Sequence, residues 1–80
     1  MRFYWDGALS LGRVHVADDS EDLDVFMSAE SEWWRPREDK WGAASNRVQV
    51  EVLGPSAYLE RIPDADVAQV QAKIRARLGI

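Results

Sequence analysis

The chain predicts an α+β fold: a two-layer ββαββα arrangement with a four-stranded antiparallel sheet and its helices packed on one face. Three observations carry this expectation. Val67, Val70, Ile74 and Leu78 recur at three- and four-residue steps, the stripe of an amphipathic helix. Between Arg47 and Leu53, apolar Val48, Val50 and Val52 alternate with polar Arg47, Gln49 and Glu51, the period of a strand with one wet face. Asp6-Gly7 lies between two apolar runs and signals a tight hairpin, since both positions of a type I′ turn need positive φ. The 80 residues suffice for one domain, residues 1–80, and leave no room for a second.

In chain order, Arg2 to Trp5 is aromatic-rich and reads as the first strand. The return strand starts near Ala8 and extends to Ala17. Its apolar pairs, Leu9 with Leu11 and Val14 with Val16, differ in parity, so a bulge at Gly12 is expected. Ser20 can cap a helix with an acidic first turn, on which Leu23, Phe26 and Met27 share a face; this helix ends near Ala29. Alternation of Leu23, Val25, Met27 and Ala29 is the rival strand reading. From Glu30 to Asn46 no period holds, and a loop is expected there, with Pro36 disfavouring helix at Arg35. Gly54-Pro55-Ser56 turns the chain, and Ala57 to Ile62 returns as a strand. The final helix comes after Pro63, with Asp64 as N-cap, cations Lys73, Arg75 and Arg77 towards its end, and Gly79 at the left-handed stop. Its stripe is expected to bury against Val48, Val50 and Val52.

Composition excludes more than it assigns. There is no cysteine, which removes disulfides, thiol nucleophiles and thiolate metal sites and fits a cytoplasmic protein. Neither a signal peptide nor a membrane span is expected, because MRFYWDG has no long apolar run and soon meets Asp6. His15 is the only histidine, and no orienting acid can be inferred beside it. G-x-S-x-G, P-loop, G-x-G-x-x-G and H-E-x-x-H motifs are all missing. The acids do not form an EF-hand, which requires a central glycine and a glutamate at its twelfth position. No cofactor, metal site or catalytic residue is therefore expected.

Charge is unevenly placed. The net charge is −4, yet seven of the fourteen acids (Asp18, Asp19, Glu21, Asp22, Asp24, Glu30 and Glu32) lie between residues 18 and 32, with no Lys or Arg among them. Fifteen helical residues span roughly 22 Å, so the acids average one per about 3 Å, close to the roughly 3.4 Å between phosphates of one DNA strand. Such a block is either a solvated face or a surface for a cationic partner, and it argues against direct nucleic-acid binding. Trp33, Trp34 and Arg35 come directly after the acids. Trp and Arg often dominate protein interfaces, whereas buried tryptophans close small cores. At least one ring of the adjacent pair is expected to point outwards.

In size, acidity and lack of catalytic parts and cysteine, with DDSEDLD over Asp18 to Asp24, the chain resembles small phage-encoded anti-CRISPR proteins, several of which act as DNA mimics. The resemblance implies a non-enzymatic inhibitor that occupies the DNA-binding channel of a CRISPR effector complex. Two other readings remain. An immunity protein or antitoxin would turn the same acidic surface on a basic nuclease toxin, and a small metal-dependent or accessory enzyme domain would use His15 with Asp18 and Asp19.

Overall fold

The computed structural model describes residues 1–55 and 58–80. Five strands, β1 (Arg2–Trp5), β2 (Leu11–Val14), β3 (Ser31–Arg35), β4 (Lys40–Ala43) and β5 (Glu60–Ile62), form one antiparallel sheet in the order β4-β3-β2-β1-β5. Three α-helices complete the fold: α1 (Leu23–Ser28), α2 (Arg47–Leu53) and α3 (Val67–Leu78), the last entered through a 3-10 turn at Asp64–Asp66. The α+β class holds. The expected four strands become five, and the expected single helical face becomes two.

Both faces of the sheet are covered because its strands bury residues of both parities. Tyr4, Val14 and Trp33 join Phe26 of α1 and Val48 of α2 in one core, with Val16, Ala44 and Leu59 closing it. Leu11 and Trp34 face the other way and meet Val70 and Ile74 of α3, with Trp5, Trp41, Ile62, Val67 and Leu78 around them. The α3 stripe is thus the expected one, but it covers the tryptophan face. Val48 and Val52 belong to the opposite core, and Val50 is exposed. Fully burying an aliphatic side chain such as Ile74 contributes about 1.5–3 kcal/mol, so both helical layers matter to stability.

Arg47–Leu53 forms a helix because its valines serve a helical period as well as an alternating one. Val48 and Val52 are one turn apart and face the core, while Gln49 beside them is fully buried. Gln49 Nε2 donates to the carbonyls of Phe26 (3.3 Å) and Ala29 (2.7 Å), tying α2 to the end of α1; its Oε1 has no partner among the described residues. The stretch expected as a loop holds β3 and β4, paired Trp34 to Trp41 and Arg35 to Lys40. Asp39 closes their turn in the left-handed region (φ 51°), and Arg75 Nη2 of α3 donates to its Oδ1 at 2.8 Å.

The β1–β2 connection is longer than a two-residue hairpin. Asp6 N–H donates to Ser10 O, and Asp6 Oδ1 accepts from the backbone N–H of Ala8 and Ser10. Gly7 takes positive φ (81°). This places Leu9 in the connection, outside β2, and the parity difference that remains, between Leu11 and Val14, is met by burying them on opposite faces of the sheet. No bulge is needed: Tyr4 pairs with Gly12 in unbroken register. Gly12 serves packing instead. A Cβ there would lie 2.9 Å from both methyls of Val48 and 3.0 Å from the Trp33 ring.

Asp22, rather than Ser20, caps α1, accepting from the N–H groups of Asp24 (2.9 Å) and Val25 (3.2 Å); the helix reading prevails over the strand reading there. Asp64 opens the 3-10 turn in place of capping α3 directly. Gly79 ends α3 in the left-handed conformation (φ 73°), as expected, with its N–H on Ala76 O and that of Ile80 on Arg75 O. The final strand is shorter than Ala57 to Ile62, and its expected start and the Ser56 turn position lie outside the described residues.

Gly12→Ala is expected to destabilise the domain by about 1–3 kcal/mol through overpacking. In a Val48→Ala background the same change should cost much less, because the obstructing methyls are gone. Urea unfolding of the four members of this cycle measures the coupling; additive costs would refute the packing assignment.

Candidate protein-binding surface

The segment from His15 to Asp22 is a strap linking β2 to α1, and cations from neighbouring strands hold it by its backbone. The Met1 amine donates to Val16 O at 2.8 Å, Arg2 donates to the carbonyls of Asp18 and Ser20, and Arg61 of β5 donates to Asp18 O at 3.2 Å. Anchoring by carbonyls leaves the carboxylates of Asp19 and Glu21 exposed. Asp22 and Asp24 continue the acidic run into α1, where the positive end of the helix favours them. Among the described residues, Asp19, Glu21, Asp22 and Asp24 have no Lys or Arg within ion-pair distance. Asp18 shares Oδ1 with the Met1 amine and Arg61, each at 3.5 Å and exposed, so these pairs contribute little.

The seven acids do not form one block. The segment is not a continuous helix, as α1 covers only six residues, so the phosphate-like spacing of a helical run does not arise. Glu30 is exposed just before β3 and lines a shallow depression with Glu32, Ala43 and Ser45. Glu32 lies on β3 and is held by the chain's own cation: Arg13 Nε donates to its Oε1 at 2.7 Å. The acidic surface therefore comprises Asp19, Glu21, Asp22 and Asp24, with Asp18 partly neutralised.

Trp33 and Trp34 point to opposite faces of the sheet, and both meet a helical layer, so the expected outward ring is not found. Trp34 is 5% exposed beneath α3, with the Arg75 guanidinium 5.1 Å from its ring centre. Trp33 packs on the core beneath α2. Arg35 is exposed, crosses Gly42 and pairs loosely with Glu38 at 3.5 Å. Since Ser31 pairs with Val14 beside the strap, Arg35 stands at the opposite end of β3 from the acids.

A second constellation was not legible in the sequence. Arg13, paired across the strands with Glu32, lays its guanidinium over Trp41 at 4.2 Å, and Phe3 meets the same ring at 5.9 Å. His15 lies 2.6 Å from the shared Glu32 Oε1; an ionised carboxylate only accepts, so Nε2 carries the donated proton. The imidazole thus has an orienting acid, but it is Glu32 and neither Asp18 nor Asp19. Two residues of the same strand parity, Arg13 and His15, were the available signal. It required knowing that β3 lies alongside.

The Arg13 hydrogen bond, then that of His15, holds the Glu32 carboxyl below its usual pKa of 4.5. A lowered folded-state pKa adds stability above the unfolded value, and that stability is lost as pH falls through the folded one. Glu32→Gln should therefore lower the urea midpoint at pH 7 and shrink the further drop seen between pH 5 and pH 3. An unchanged acid limb would show that Glu32 does not couple folding to protons.

Among the described residues, no three His, Asp or Glu side chains gather as metal ligands, and no helix is long and apolar enough to cross a membrane. Compared with protein-family models, curated proteins and solved structures, the chain matches none.

Proposed function

We propose that this protein is a binding inhibitor that acts by occupancy, presenting the acidic strap and first turn of α1 to a basic, nucleic-acid-binding surface of a partner protein. The observation that carries this reading is the run Asp19, Glu21, Asp22 and Asp24: contiguous, exposed and not neutralised by the chain's own arginines. Arg2 and Arg61 hold strap carbonyls and so fix the backbone of this surface, and among the described residues neither lies within ion-pair distance of Asp19, Glu21, Asp22 or Asp24. A fixed array of like charge favours fast, oriented encounter with a positive patch and rejects nucleic acid itself. The partner class proposed is a bacterial defence complex, in keeping with the resemblance to anti-CRISPR proteins. A basic nuclease toxin presents the same chemistry.

Reversing Asp19, Glu21 and Asp24 to Lys leaves the Asp22 cap intact and should preserve the fold by circular dichroism. In pull-downs from bacterial lysate, the wild-type protein should retain a nucleic-acid-binding protein that duplex DNA displaces. Retention should weaken as salt rises, since exposed charges are screened within about 8 Å at physiological ionic strength. The folded variant should lose affinity by about tenfold or more. Undiminished capture by that variant, or capture indifferent to both salt and DNA, refutes the reading. The identity of the captured protein separates an effector complex from a toxin.

A further inference from the structure

Beside the acidic strap, residues of β1, α1 and α2 line an open cleft of ≈ 300 Å³. Tyr4 and Phe26, edge to face at 6.2 Å, belong to its lining, as do Leu23, Val52 and Leu53, with Glu21, Asp22 and Arg2 among them, the Arg2 guanidinium being held by the carbonyls of Asp18 and Ser20. Leu23 and Leu53 are 58% and 52% exposed, and Val25 and Val50 on the same two short helices are each 48% exposed. Single exposed aliphatics are ordinary, but a pair lining one cleft next to unneutralised carboxylates is a recognition pattern.

We propose that this cleft is the anchor site for a basic amphipathic helix of the partner protein. The inference rests on the acidic surface being protein-binding, and it names what that surface binds. Charge complementarity sets the sign, because Glu21 and Asp22 in the lining, with Asp19 and Asp24 next to them in the chain, outnumber the one cation there, Arg2, and call for Lys and Arg flanking apolar anchors. Backbone geometry sets the conformation. β1, which underlies the cleft, is already paired on both sides by β2 and β5, so no free strand edge is offered there to an extended peptide. Recognition must run through side chains, as when a helix lays its i, i+3, i+4 apolar residues into a groove. A cleft of this size is at the small end of ligand sites, and it suits one or two anchoring side chains.

The test is an amide chemical-shift titration of the labelled protein with a synthetic helical Leu/Lys peptide, and with a Leu/Glu peptide of the same apolar pattern. The Leu/Lys peptide should saturably shift Leu23, Phe26, Val52 and Leu53, and the Leu/Glu peptide should not. Leu53→Asp alters an exposed side chain and should weaken Leu/Lys binding about tenfold, with the spectrum otherwise unchanged. Shifts confined to Asp18–Asp24, with Leu53→Asp binding as the wild type, would overturn the cleft proposal and leave the acidic surface standing. Equal binding of both peptides, or equal binding by the charge-reversed protein, would overturn the basic character of the partner and the acidic-surface reading with it, leaving an apolar groove. No binding of either peptide would overturn the proposal.

Discussion

The pleat of β3 carries the structure. Successive residues of a strand project to opposite faces, so Trp33 and Trp34 deliver one large ring to each side of the same sheet. Neither ring can remain in water without exposing a large apolar surface, and each therefore requires a helical layer. Trp33 is met by α2 through Val48, for which Gly12 leaves the space; Trp34 is met by α3 through Val70 and Ile74. A small sheet that would usually show one wet face is sandwiched instead.

Electrostatics are set by that architecture. With both faces occupied, arginines of the strands bind neighbouring elements: Arg13 joins Glu32 and Trp41, while Arg2 and Arg61 reach strap carbonyls. Arg75 spans from the α3 layer to Asp39 in the β3–β4 turn. The cations are thereby distributed as fasteners between elements. The surplus of negative charge collects where the chain leaves β2 and enters α1, beside an apolar gap that the two short helices do not close.

The features legible in the sequence were those governed by local chemistry. The α3 stripe, its glycine stop and the aromatic first strand are each specified by residues near one another in the chain. The parts that were not legible depended on distant partners. Val48, Val50 and Val52 satisfy a two-residue period, and only the seat at Gly12 and the burial of Gln49 select the helix. β3 lacked a period because residues of both parities, Ser31 and Trp34, are buried, a pattern that alternation cannot reveal. Among the acids, Asp19, Glu21, Asp22 and Asp24 stayed together as the sequence suggested. Glu32 left the group because Arg13 stands opposite it on β2.

The position of α3 also bears on how the molecule is made. α3 reaches the sheet only after β5 has been laid down, and it alone covers Leu11, Trp34 and Trp41. Any partly folded form in which α3 is undocked therefore presents one side of the sheet as a sticky aromatic plane, vulnerable to association with other chains.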